Sequence, residues 1–177
     1  MQKVSLLVIL GFLLIFAVVF QNKSSIKSSN PVNIEASLES NVKVTRVIDG
    51  DTVKVLIGNK EETVRLIGID TPEILDPRKP IQCFAKEASD KAKSILTNQI
   101  VMLESDLTQG NRDKYRRLLR YVFLNHVNFN EFMISEGFAH EYTYRFLYKY
   151  QTEFKNAEKE ARINKKGLWS DSSKCHY

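Results

Sequence analysis

Arg65-Leu66-Ile67-Gly68-Ile69-Asp70-Thr71-Pro72-Glu73 opens on a cation and closes on two carboxylates, with an apolar run between them. Leu66, Ile67 and Ile69 are apolar and partly β-branched, which predicts a buried strand. Pro72 forbids continued pairing and pins the turn that carries Asp70 and Glu73. A guanidinium beside such a strand costs free energy unless an anion compensates it. A phosphate group fits that need, because the Arg fork matches phosphate oxygens two at a time. A plain Arg–Asp pair at a strand end is the competing reading.

Upstream, Val42, Val44, Val47 and Ile48 read as a first strand that ends in the turn signal Asp49-Gly50-Asp51. Thr52–Ile57 is a second β-rich run, Gly58-Asn59 a two-residue hairpin signal, and Glu62–Ile69 the third strand. Downstream, Asp76–Pro80 is a polar, proline-bounded loop. Phe84, Ala88, Ala92, Ile95 and Leu96 recur at helical spacing, so Phe84–Asn98 is expected to be an amphipathic helix. Ile100–Leu103 and Leu118–Leu124 read as strands four and five, separated by a charged loop over 106–117. Asn128 with Glu131 three residues on resembles a capping box, and Gly137 marks the end of a short helix. Phe154, Ala157 and Ala161 mark a third helix ending before Gly167, with Trp169 just beyond. The class expected is mainly β with helices (α+β): a five-stranded OB-type barrel closed by three helices. Such barrels commonly take nucleic acids on a barrel face and its loops.

The rest of the chain adds a leader. Val4–Phe20 is a run of seventeen residues without a charge, preceded by Lys3. That pattern predicts an N-terminal hydrophobic helix over 1–22, either an uncleaved membrane anchor or an export signal. No small-x-small cleavage site follows it, which favours the anchor. Residues 23–41, rich in Ser, Asn and Lys, read as a flexible linker, leaving 42–177 as the folded domain. Of 177 residues 43% are hydrophobic and 27% charged, which excludes wholesale disorder. Net charge is +5, and from Val42 onward 23 basic residues face 19 acidic ones, a balance that suits a polyanionic partner. The expected location is extracytoplasmic, anchored or secreted, and a single copy is the expected state.

Four features need to converge for chemistry. Asp51 closes the first turn, Asp70 and Glu73 close the third strand, and Arg65 starts it. Carboxylates on adjoining turns could hold one hard dication such as Ca²⁺; taken singly, each Asp is equally a turn residue. Asn111–Arg117 is a second basic element, in which Arg112 and Lys114 read as solvated and an arginine beside Tyr115 as a phosphate clamp. Tyr142, Tyr144, Phe146, Tyr148 and Tyr150 alternate with Arg145 and Lys149, a stacking platform for single-stranded nucleic acid or else flanking core. His126, His140 and His176 show no metal-ligand spacing, and no glycine-rich phosphate loop is present.

Taken together, Val-Ile-Asp-Gly-Asp-Thr-Val (47–53), Arg65–Glu73, Asp-Lys-Tyr-Arg-Arg (113–117) and Gly-Leu-Trp-Ser (167–170) resemble the staphylococcal nuclease (thermonuclease) family over Val42–Ser170. The resemblance implies a calcium-dependent nuclease that hydrolyses DNA and RNA and leaves 3′-phosphate ends. It implies Asp51, Asp70 and the Thr71 carbonyl as metal ligands and Glu73 as the residue that orients or deprotonates water. It implies Arg65 and Arg117 as the phosphate grip, and Lys114, Tyr115, Tyr142 and Tyr144 as nucleotide contacts. One departure stands out. The family has glycine between the tyrosine and the arginine, and here Arg116 stands there, so Arg116 and Arg117 both compete for the phosphate; spacing from Tyr115 favours Arg117. A non-catalytic nucleic-acid-binding barrel tethered to the membrane is the alternative function. Cys83 and Cys175 are the only cysteines. An oxidising compartment would pair them; a buried free thiol at Cys83 is the other outcome.

Overall fold

Alternating valines build a closed barrel. The computed structural model describes residues 37–73, 82–173 and 175. Strand β1 (Leu38–Val47) buries Val42 and Val44, and a register irregularity between Val44 and Arg46 lets Val47 point inward as well. Strands β2 (Thr52–Ile57) and β3 (Lys60–Leu66) follow as an antiparallel meander through the Gly58-Asn59 turn, burying Val53, Val55, Val64 and Leu66. A short β4 (Ile69–Asp70) comes next, then β5 (Ile100–Glu104) and β6 (Leu118–Leu124). β1 pairs with β5, β5 with β6, and β6 runs parallel to β3 with Val64 opposite Leu118, which closes five strands on themselves. Closure leaves no open sheet edge among these five strands.

Three helices cover the barrel. Helix α1 (Ala85–Leu96) buries Ala85, Ala88, Ser89, Ala92 and Leu96, the one-face spacing that the sequence shows. After a small β7 (Val127–Asn128), helix α2 (Phe129–Ser135) starts on the Asn128 carboxamide, which accepts from the backbone N–H groups of Asn130 and Glu131. Gly137 follows it at φ 73°. A two-residue β8 (His140–Glu141) leads to helix α3 (Gln151–Ile163), which buries Phe154 and Ala161. Two 3₁₀ turns follow, Gly167–Trp169 and Asp171–Ser173, and Leu168 in the first of them is buried. The hydrophobic run over 1–22, the linker as far as residue 36 and the Asp76–Pro80 loop lie outside the described residues. No helix among the described residues is long and apolar enough to cross a membrane.

The expected third strand, Glu62–Ile69, is two strands. β3 stops at Leu66, the chain bends through Gly68 at φ 79°, and β4 leaves the barrel to pair with β8. Glycine is required at that bend: a Cβ there would stand 2.7 Å from the Tyr148 ring. The barrel also begins at Leu38, earlier than the boundary at 42 read from composition. Leu38 and Glu39 pair with Glu104 and Leu103 on β5, and the Glu39 carboxylate accepts from Arg120 Nη2 at 2.8 Å. Arg120 is 3% exposed, so Glu39 compensates a buried charge.

A chain shortened to begin at Val42 therefore leaves Arg120 without that partner. Relative to one beginning at Ser37, it should lose roughly 2–4 kcal/mol of stability, measured by urea unfolding. Equal midpoints would show that the first four residues of β1 contribute nothing.

Candidate active site

Asp51 is 2% exposed, and four donors surround its carboxylate. One oxygen accepts from Thr52 Oγ1 at 2.9 Å and forms an ion pair with Arg65 Nε at 3.2 Å. The other accepts from the Thr71 N–H at 3.0 Å and Thr71 Oγ1 at 3.2 Å. Gly50 makes the approach possible, since a Cβ there would come within 2.7 Å of the Thr71 side chain. Arg65 lies opposite Thr52 in the β2–β3 register and points out of the barrel, away from Val64 and Leu66. Its Nη1 donates to the carbonyls of Leu66 and Ile69, and its Nη2 to Asp70 Oδ1 at 2.9 Å. Asp51 and Asp70 thus meet at one end of the barrel, joined by one guanidinium. The carboxylate pairing expected as the competing reading is what balances Arg65 here.

A cleft of about 590 Å³ opens over this point. Arg65, Asp70, Glu73, Lys114, Tyr115, Arg117, Tyr142 and Tyr144 all line it, whereas Asp51 and Thr71 are buried below. Arg117 lines the cleft, whereas Arg116 is not among its lining residues. Asp113 holds Arg117 twice, by its backbone N–H at 2.9 Å and its Nε at 2.7 Å. The Tyr115 ring carries Lys114 Nζ at 4.9 Å and Arg117 Cζ at 5.5 Å from its centroid. Tyr142 and Tyr144 lie 6.3 Å apart, and Arg145 stands 5.2 Å from the Tyr144 ring. The five-residue aromatic alternation divides in two. Tyr142, Tyr144 and Phe146 are exposed, while Tyr148 is buried against Phe154 and its hydroxyl donates to Glu141. Tyr150 packs on Tyr121 and Phe154, so it also belongs to the core.

The family model for staphylococcal nuclease homologues matches residues 63–171. The chain is 40% identical over 174 residues to a thermonuclease of Staphylococcus hyicus, covering 97% of this chain and 100% of that one. The chain belongs to the staphylococcal nuclease family. It is also 42% identical over 143 residues to a thermonuclease of Staphylococcus intermedius, covering 81% of each chain. Against Endonuclease YncB of Bacillus subtilis (strain 168) identity is 36% over 152 residues, 85% of this chain and 72% of that one.

Sequence reasoning passed over three site residues of this family member. Arg112, read as solvated, lines the cleft and donates to Glu62 Oε2 at 2.8 Å and to the Arg116 carbonyl. That bond, with another from Lys60, holds the Glu62 carboxyl down at about 2. Gln109 lines the cleft too, and its amide donates to the carbonyls of Phe146 and Leu147. Asp49, read only as part of a turn, accepts from the Asp51 N–H, and its pKa is pushed up to about 7 by burial and by the charges of Asp51 and Glu73. Only its place two residues before Asp51 hinted at this. Cys83 and Cys175 form a disulfide with Cα atoms 5.6 Å apart, and Cys83 is exposed, so the buried free thiol does not occur.

Two outcomes follow from this geometry. Asp49 binds its proton more tightly folded than unfolded, so its penalty on stability is absent at low pH. The penalty grows as pH rises from about 4 to about 7 and is constant above. In chelator, Asp49→Asn should raise Tm by an amount that increases across that window and then levels; a pH-independent difference would refute the assignment. Arg116 sits at φ 70°, where a side chain costs about 1–2 kcal/mol. Arg116→Gly should therefore stabilise the fold by about 1 kcal/mol after glycine's unfolded-state entropy is counted, read from urea midpoints.

Proposed function

We propose that this cleft is the active site of a calcium-dependent nuclease acting on DNA and RNA. The chain is a nuclease, a phosphodiesterase of the family to which it belongs. One observation supports the finer reading: Arg65, Asp70, Glu73 and Arg117 line one cleft, and Arg65 pairs with both Asp51 and Asp70.

Among the described residues no three His, Cys, Asp or Glu side chains gather closely enough to hold an ion by themselves. The donors present are nevertheless those of a hard cation. Asp51, Asp70 and the Thr71 carbonyl offer only oxygen, and Ca²⁺ completes such irregular shells with water. The raised pKa of Asp49, caused by burial and by Asp51 and Glu73, marks a local excess of negative charge that a dication would relieve. Bound there, the ion would supply electrostatic stabilisation of the charge that develops on the phosphoryl oxygens.

The chain's own residues do the remainder. Arg65, held by Asp51, Asp70 and the carbonyls of Leu66 and Ile69, lines the cleft, so a phosphate entering there meets a fixed guanidinium. Arg117, fixed by Asp113, approaches from the facing loop. Two guanidinium groups aimed at one phosphodiester stabilise the transition state more than the ground state. Glu73 follows Thr71 by two residues and is placed to orient a water or take its proton. Tyr115, Tyr142 and Tyr144 give flat, exposed faces for unpaired bases, with Lys114 beside them for the backbone. By resemblance to the family, cleavage leaves 3′-phosphate ends. The N-terminal run supports an extracytoplasmic location, anchored or secreted, consistent with a disulfide between the two cysteines.

The test uses the full chain with a single-stranded DNA oligonucleotide, and then an RNA of the same length. Cleavage should require Ca²⁺ and stop on chelation. Glu73→Gln should lower kcat by about 10²–10⁴-fold with little change in KM. Binding without cleavage in Ca²⁺ would instead establish the tethered binding module.

A further inference from the structure

The mechanism leaves the disulfide unused, yet it ends one residue from a group that touches Glu73. The Glu73 N–H donates to Gln82 Oε1 at 2.8 Å, and the Glu73 carbonyl accepts from the Gln82 N–H at 3.1 Å. Both backbone groups of Glu73 are therefore held by one residue. Gln82 is exposed, so water competes for both bonds and they open readily unless Gln82 is itself fixed. The next residue, Cys83, is bonded to Cys175, 92 positions along the chain.

The far side of that bridge is anchored in the core. The Cys175 N–H donates to Ser173 Oγ, which donates to the carbonyls of Leu168 and Ser170. Leu168 is buried, and its N–H donates to the Gly137 carbonyl at 2.8 Å. A continuous route thus runs from the core through Leu168, Ser173, Cys175, Cys83 and Gln82 to the backbone of Glu73. We propose that Gln82 and the Cys83–Cys175 bridge form a positioning clamp for Glu73, so that turnover depends on the bridge being closed. The inference rests on the role of Glu73 given above. Gln82 and Cys83 are positioning residues; neither contacts the scissile group.

The clamp makes turnover sensitive to thiols. A dithiol attacks one sulfur of the bridge and forms a mixed disulfide, and its second thiol closes the reagent's own ring. Cys83 and Cys175 leave as thiols, two electrons and two protons having passed from reagent to protein. Exposure of Cys83 gives the reagent access. With the bridge open, the Ala85 N–H on the Gln82 carbonyl still links Gln82 to the start of α1, but its covalent tie to Cys175 through Cys83 is lost.

The experiment compares the oxidised full chain with the same chain after dithiothreitol, on the oligonucleotide in Ca²⁺. Cys83→Ser/Cys175→Ser and Gln82→Ala are compared alongside, and Gln82→Glu keeps the acceptor for the Glu73 N–H. Reduction, the double variant and Gln82→Ala should each lower kcat by about 10–10²-fold, the upper figure being what a misplacement of 1 Å can cost, with KM unchanged. Gln82→Glu should retain turnover, dithiothreitol should not affect the double variant, and amide exchange at Glu73 should quicken on reduction. A lower Tm with unchanged kcat and unchanged Glu73 exchange would overturn the clamp and leave the bridge a staple for the C-terminus. A rise in KM alone would overturn it in favour of substrate docking. No cleavage by the oxidised chain would remove the nuclease reading and this inference with it.

Discussion

One buried carboxylate holds the active end of the barrel together. Asp51 accepts from the side chain of Thr52 on β2 and from both the backbone and the hydroxyl of Thr71 beyond β4, and it pairs with the Arg65 guanidinium on β3. Its own carbonyl also accepts from the Leu66 N–H. Burying a carboxylate is costly, and three hydrogen bonds and an ion pair offset that cost. These partners come from three separate pieces of chain, so satisfying Asp51 fixes how the first turn, the third strand and the Asp-Thr-Pro-Glu segment lie against one another. The site's geometry is consequently a by-product of solvating one acid inside the protein.

Charge is managed in pairs around that centre. Arg65 faces Asp51 and Asp70, Arg117 faces Asp113, and Arg112 faces Glu62. Each pairing restricts a long side chain before substrate arrives, reducing the entropy lost on gripping a phosphate. Asp49 is the exception. Its burial and the nearby Asp51 and Glu73 outweigh the Asp51 N–H and Arg65 that favour its ionised form. The imbalance sits at the barrel end beside Asp51, where perturbed carboxylates often mark a functional site.

Much of this was legible in the sequence because local pattern and burial agree there. The valine alternation, the Gly58-Asn59 turn, the α1 face and the Asn128 cap each act through neighbours in the chain. What escaped reading depends on distant partners. The first residues of β1 look like a linker because their support, β5 and Arg120, lies over sixty residues away. The break at Gly68 is set by the Tyr148 and Phe154 rings, which no local period announces. Arg112 appeared solvated because Glu62 lies fifty residues away in sequence. A separation of 92 residues carries no signal of a disulfide either way.

The split in the aromatic alternation shows how one further buried acid shapes the wall of the cleft. Asp106 accepts from the Thr108 N–H and hydroxyl on one oxygen, and from the Tyr121 hydroxyl and the Lys149 N–H on the other. Burial opposes its ionisation, but these donors together hold its pKa below the ordinary value. The bond to Lys149 ties the segment after Phe146 to the barrel, so Tyr148 and Tyr150 are drawn inward. Thr108 Oγ1 and the Gln109 amide then hold the carbonyls of Leu147 and Phe146 from outside. With its main chain fixed, Phe146 stays 65% exposed on the cleft rim, beside Tyr144 at 60%. An alternating pattern that could serve core or ligand serves both, and the boundary between the two uses falls where Asp106 grips the chain.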